Sequence, residues 1–500
     1  MKKNIFFVTA VQLVFLCLLA YSQDSLRFED YFIDAAMRVD YFQTGDAQEL
    51  FFSIDQIYRQ DGWAGCPDKL IDDMNSGMYY VKVYSIATNR LIYSRGFATI
   101  FGEYKTTDPA GKGIKKSFHQ TLLIPFPKSS ILFVIEGRDK NYHYLLSPIF
   151  STKIDPEDVN IIHSTSDPRD KVFTILENGH PHDKVDLVFV GEGYTADKEK
   201  KFLADAERMT GVLFNSEPFK THKERFNVRC VLRPSAESGV DQPTKGIFRN
   251  SAVSAAFNAL DLPRYLLIDD TKALRDIASS VPYDAVIVIA DCERYGGGGI
   301  YNDYTMTTVD NERSEDVFMH EFGHAFGNLA DEYFTSTVSY NEFYPPGIEP
   351  HEPNITALLD PQNIKWDHLL TPGIEIPTPW GQDEMESLRM ERDTIIADLK
   401  KQIDVLEKNQ ADSNEISILE AKIKETRDSY GSQIKQIMGK YQDLYKGKIG
   451  VFEGAGYSPK GLFRSEVHVG MFHRGEYGKV SEEAILKQIM HLSRRMAVFT

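Results

Sequence analysis

The chain has 500 residues, 42% of them hydrophobic and 26% charged, with a formal net charge of −17. That length and apolar content suffice for two or three packed domains. The interspersed acidic excess argues against nucleic acid or an anionic membrane as partner, and four cysteines are too few for a disulfide framework.

Lys2 and Lys3 precede an apolar run over residues 5–20, and Ala20-Tyr21-Ser22 is a small-residue cleavage site. Residues 1–22 therefore read as a signal peptide, and the protein as exported to the periplasm or beyond the cell. A membrane anchor and, through Cys17, a lipoprotein are the competing readings. The run is short for a span, Leu16 suits lipoprotein processing poorly, and no later stretch approaches spanning length. Cleavage would leave Cys66, Cys230 and Cys292, an odd number. Residues 23–155 read as an all-β, sandwich-like domain: 79–86 and 91–93 flank a turn at Thr88-Asn89, and 131–135 is a buried strand.

From residue 156 the texture changes. Continuous apolar runs at 186–190, 227–231 and 285–290 predict central strands, with helices over 196–214 and 270–280, which together make an α/β layer. Gly191-Glu192-Gly193-Tyr194-Thr195-Ala196 loosely matches a dinucleotide fingerprint, a weak signal alone. Four glycines at 296–299 predict a mobile segment. With 300–309 it is expected to line a cleft where an extended peptide pairs with a strand edge.

Residues 320–324 read His-Glu-Phe-Gly-His. On a helix, histidines four apart lie on one face, about 6 Å apart in rise, and can bind one Zn²⁺. Glu321 then stands beside the metal as general base and acid for water attacking a peptide bond. Ser314 is the expected N-cap of this helix, and Gly327 and Asn328 tolerate a left-handed stop that would turn the chain back under the zinc. Asp331 is the favoured third ligand, with Glu332, His351 and His468 as alternatives. Residues 383–446 lack Pro, His and Cys. Apolar residues at three- and four-residue spacing, from Ile396 to Leu406 and over Ile416, Leu419, Ile423, Thr426, Tyr430, Gln433, Ile437, Tyr441 and Leu444, predict an inserted antiparallel coiled hairpin of two helices.

The stretches Val185-Asp186-Leu187, Gly191–Ala196, Pro234-Ser235-Ala236-Glu237-Ser238-Gly239-Val240-Asp241, Glu352-Pro353-Asn354-Ile355-Thr356, Ile376-Pro377-Thr378-Pro379, Phe452-Glu453-Gly454-Ala455-Gly456-Tyr457 and Gly461-Leu462-Phe463-Arg464, around the extended motif through Tyr333, carry a resemblance. In these the chain resembles the secreted zinc metallopeptidases of gut bacteria that include an immunoglobulin A-cleaving enzyme. The resemblance implies a metzincin-like zincin catalytic domain over 156–500 behind the β domain, one catalytic Zn²⁺, and protein or peptide substrates. These would be host or microbial proteins, glycosylated ones such as immunoglobulin included. Substrate choice itself does not transfer between members. Metzincins place a third His where this chain has Ala330. Ser465 and Val469 stand where the family has Pro and Cys, while Met471 is a candidate for the Met turn or an ordinary core methionine. Tyr457 and Tyr333 are the candidate transition-state stabilisers.

Overall fold

Alternation of apolar and polar side chains builds long strands at the start of the chain, in a computed structural model that describes residues 26–139, 145–334, 343–409, 413–468, 470–471 and 476–494. The expected signal peptide, Val469 and part of the 408–414 turn lie outside the described residues. Strands β1 (Phe32–Gly45), β2 (Leu50–Asp61), β3 (Tyr79–Ser85), β4 (Leu91–Phe97), β5 (Lys116–Pro127), β6 (Ile131–Asp139), β7 (Leu145–Ile154) and β8 (Ile162–His163) form two four-stranded sheets, β5-β1-β2-β8 and β4-β3-β6-β7. Val39, Tyr41 and Ile124 from the first sheet and Val81, Val83, Phe133 and Ile135 from the second share one core. Each set recurs with the period of two that points every second side chain inward.

The chain then enters a six-stranded sheet. Its strands are β9 (Lys171–Leu176), β10 (Val185–Glu192), β11 (Phe226–Leu232), β14 (Ala285–Ala290), β15 (Gly297–Ile300) and β16 (Tyr304–Thr308), in the order β15-β16-β14-β10-β11-β9. Its inner strands run parallel and its two edges antiparallel. The helices of eight residues or more among the described residues are α1 (Glu199–Asn215), α2 (Thr271–Ala278), α3 (Ser314–Gly327), α4 (Gln382–Lys408), α5 (Ser413–Leu444) and α6 (Lys479–Leu492). Leu187 and Phe189 of β10 face α1, α3 and α6, whereas Val188 and Val190 face α2 and the small pair β12 (Ala255–Phe257) and β13 (Leu266–Ile268). Burial on both faces explains the unbroken apolar runs of the central strands. A β-rich region thus precedes an α/β region. Across their contact Arg38, fully buried, binds Asp40 and reaches Asp276 at 2.5 Å, while Lys272 meets Asp55 at 3.0 Å.

In Gly191-Glu192-Gly193 the acidic residue is turned inward. The buried Glu192 carboxylate accepts from Ser251 Oγ and from the N–H groups of Val253 and Ala255, tying down the 251–255 loop. Asp284 is a second buried carboxyl, and its Oδ2 accepts the Asp186 N–H at 2.8 Å. Burial, then the neighbouring Asp186, pushes Asp284 up to about 8. The folded chain therefore keeps a proton that the unfolded chain releases above about pH 4, so stability falls as pH rises from there to about 8. Asp284→Asn preserves the acceptor. Its melting temperature is expected to exceed the parent's by more at about pH 9 than at about pH 5; equal differences by scanning calorimetry would mean that this carboxyl does not titrate there.

The glycine run corrects an expectation. Gly297–Ile300 is the edge strand β15, paired with β16 from Gly297↔Thr307 to Ile300↔Tyr304, rather than a mobile loop. The missing side chains serve close approach. A Cβ on Gly299 would stand 2.2 Å from the Glu321 carbonyl oxygen, and one on Gly297 2.6 Å from Val317 Cγ1.

In the helical pair α4–α5, Met385 and Ile396 are buried against a seam through Ile423 and Ile434. Gln433 and Leu444, expected on that seam, face outward, Leu444 at 50% exposure. The seam steps four residues from Tyr430 to Ile434 because 3.6 residues per turn drifts from a strict 3.5 repeat. The base of the pair is packed into the body by Phe334, Trp380, Phe452 and Val467, with the Arg464 guanidinium 4.4 Å from the Trp380 ring centroid. A three-stranded sheet, β17 (Ile355–Thr356), β19 (Ser458–Arg464) and β18 (Phe452–Ala455), brings the β18–β19 turn and Tyr457 toward α3. Cys66, Cys230 and Cys292 are free and buried. Among the described residues no helix is long and apolar enough to cross a membrane.

Candidate active site

Helix α3 starts at Ser314, with Arg313 rather than Ser314 in the capping position, carries Glu315 and Asp316 in its first turn and stops at Asn328, which adopts φ 52, ψ 35 and donates its N–H to His324 O at 3.1 Å. Asn is among the few residue types that enter this left-handed conformation cheaply, so the reversal falls one residue beyond Gly327. His324 Nδ1 lies 2.6 Å from Leu329 O. A carbonyl only accepts, so Nδ1 carries the proton and Nε2 offers its lone pair. Asn354 then clamps Ala330 from both sides, accepting from its N–H at 2.8 Å and donating to its carbonyl at 2.9 Å.

That clamp aims the next residue. Asp331 Oδ1 lies 3.0 Å from His320 Nε2 and 3.5 Å from His324 Nε2, and the two nitrogens are 3.2 Å apart. Three ligands on a tetrahedral shell of about 2.0–2.1 Å radius are separated by about 3.3 Å. The donor triangle thus has the size a zinc shell needs. Asp331 Oδ1 is buried without a hydrogen bond of good geometry, and Oδ2 accepts the Tyr457 hydroxyl. Gly456 and Tyr457 also donate their N–H groups to Asp331 O and Tyr333 O, both at 2.9 Å.

The electrostatics agree with the geometry. Burial works against the Asp331 carboxylate, yet His324 and His320 outweigh it and hold it far below the usual carboxylate range. Burial also works against a charged His324, and Asp331 outweighs it, raising the ring to about 9. Two imidazoles and a carboxylate competing at one point for protons is the charge pattern that a cation relieves. Glu321 is raised by burial, with His320 and His324 opposing.

The other expected ligands lie elsewhere. Glu332 donates its N–H to Met471 O at 3.1 Å, and burial, opposed by Arg464, raises its carboxyl to about 8. His351 faces Asn328 and Glu352, and His468 meets Gln442 at 3.0 Å. None of them joins the donor group. A second donor group among the described residues, Asp40, Asp55 and His119, is interlaced with Arg38 and Lys272, whose charges already neutralise it. Met471 is buried beneath α3, its Sδ 2.9 Å from where a Gly323 Cβ would stand, between the two histidines. Tyr333 stacks on His320, with ring centroids 6.2 Å apart, and meets Tyr457 edge-on. Asn354 and Arg464 are the supporting residues that sequence patterning missed, because each acts through a partner distant in the chain.

These groups line a cleft of about 1030 Å³. Its walls include the β15 strand, Gly102 and Glu103 of the β-rich region, and Lys435, Met438 and Gln442 of α5. The helical insertion is therefore part of the cleft wall.

The family model described as Peptidase M64 N-terminus matches residues 27–147, and that described as IgA Peptidase M64 matches residues 173–489. No curated protein matches the sequence. Among solved structures, a thermostable esterase shows 10% identity over 52% of this chain and 66% of that one, with a TM-score of 0.15. The chain thus spans just under two thirds of that esterase, and the likeness carries no argument about fold or function. The longer family match covers more than half of the sequence and every side chain of the donor cluster, and the chain belongs to the IgA Peptidase M64 family, a family of metallopeptidases.

Proposed function

We propose that the protein is an exported zinc-dependent endopeptidase of metzincin-like architecture that hydrolyses peptide bonds of protein substrates. The observation that carries this reading is the donor triangle of His320, His324 and Asp331, with edges of 3.0, 3.5 and 3.2 Å, beside Glu321. Nitrogen and carboxylate donors in a set of three suit Zn²⁺ and leave a position open to solvent.

A divalent ion held there would supply Lewis acidity toward water and the scissile carbonyl. Glu321 takes the proton of the attacking water and delivers it to the leaving amine. Its burial-raised carboxyl suits both halves of that exchange. Tyr333 and Tyr457 are the candidate donors to the oxyanion; while Tyr457 donates to Asp331, its hydroxyl is committed to orienting that ligand. Met471 supports α3 from below as the Met-turn residue. Beyond the Tyr265–Gly297 bridge, the edge of β15 offers backbone groups to an extended peptide. Export is supported by the basic and then apolar residues 2–20, and immunoglobulin is one protein substrate to try.

The test is incubation of the secreted form with casein and with immunoglobulin A, with and without a chelator. Cleavage that the chelator stops and added zinc restores is the expected result. Intact substrates under all conditions, with zinc present in the protein, would overturn the reading.

A further inference from the structure

Arginines in an acidic protein ordinarily find carboxylates. The chain has 73 Asp and Glu against 56 Lys and Arg, and Arg38, Arg229, Arg233 and Arg275 each pair with an Asp. Arg313 does not. Its side chain makes no ion pair or hydrogen bond among the described residues, and its Nε is buried. Among the described residues its guanidinium faces the Tyr295 ring, 4.9 Å from Cζ to centroid. Stacking on a ring holds the guanidinium plane and leaves its N–H fork free in that plane. The neighbouring Glu315 is engaged elsewhere, pairing with Arg208 at 3.1 Å.

Arg313 and Tyr295 both line the cleft that holds the donor cluster. Arg313 immediately precedes α3, seven residues ahead of His320, which is about 10 Å along a helix axis. An extended peptide covers that distance in about three residues. The terminal amino groups of Arg313, unlike its buried Nε, are the ones that can meet a bound peptide, and a carboxylate is the acceptor that matches a guanidinium fork in shape and charge.

We propose that Arg313 is a specificity-determining residue whose guanidinium binds a substrate carboxylate about two to three residues from the bond that is cut. The proposal rests on the peptidase reading above. The carboxylate comes from an Asp or Glu side chain, or from the C-terminus of the substrate.

The test uses the zinc-loaded full-length enzyme and peptides blocked at both ends, with Glu or Gln placed in turn at each position around the scissile bond. At one position Glu is expected to raise kcat/KM by about tenfold over Gln. Arg313→Gln is expected to bring the ratio near one, and Arg313→Glu to favour Lys at that position. An Arg313-dependent preference for a free over an amidated C-terminus would assign the terminal carboxylate instead. Ratios near one at every position and for both termini, in an enzyme that cleaves these peptides, overturn the proposal while leaving the peptidase reading standing. If no peptide is cleaved, that reading suffers instead, and calorimetric titration of the same peptides still decides. Equal affinities for the Glu and Gln forms, unaffected by Arg313→Gln, would overturn it.

Discussion

Glu321→Gln is expected to lower casein hydrolysis by about 10²- to 10⁴-fold while leaving bound zinc at the parental level. Glutamine keeps the shape and the hydrogen-bonding reach of the side chain but cannot accept the proton that attacking water must lose. Metal retention follows from position. Consecutive residues on a helix are separated by about 100°, so Glu321 leaves the face shared by His320 and His324, and its Cγ lies 3.1 Å from where a Cβ on Gly297 of β15 would stand. Glu321 thus lies against β15 and stands outside the donor cluster. Steady-state assays with parallel elemental analysis check the expectation. A variant with full zinc and activity within a few-fold of the parent would move the base to another group. Loss of zinc would recast Glu321 as part of the metal shell.

The paired histidines were legible because helix periodicity is a local property: four residues and a 3.6 repeat determine a shared face. Asp331 was legible one step further out, because Asn328 can take a left-handed turn and Ala330 has no donor. The support of that turn was not legible. Asn354 meets Ala330 across 24 residues and Tyr457 meets Asp331 across 126, and nothing in their neighbourhoods marks the partner. The glycine run misled for a related reason. Glycine signals freedom in an isolated chain, yet here the absence of Cβ lets α3 lie directly on β15, a contact that only the folded chain defines. The helical pair was plain from its spacing, whereas its place in the cleft wall depends on Phe334, Trp380 and Phe452 gathering beneath it from separate segments.

Asp331→Ala is expected to abolish both zinc retention and proteolysis, whereas Tyr457→Phe is expected to weaken zinc binding by about 10- to 100-fold. The two differ because they remove different parts of one arrangement. Alanine deletes the donor itself, leaving two imidazoles 3.2 Å apart without the charge that completes the set. Phenylalanine leaves the donor but frees Oδ2, so that the carboxylate can rotate about its last bond and Oδ1 is no longer presented alone. The backbone bonds from Gly456 and Tyr457 to the 331–333 segment survive that change, which confines its effect to the side chain. Competition with a chromogenic chelator, read as a dissociation constant, separates the cases without relying on turnover. Full zinc occupancy in Asp331→Ala would assign the third ligand elsewhere, and an unchanged constant in Tyr457→Phe together with a large loss of kcat would return Tyr457 to the oxyanion.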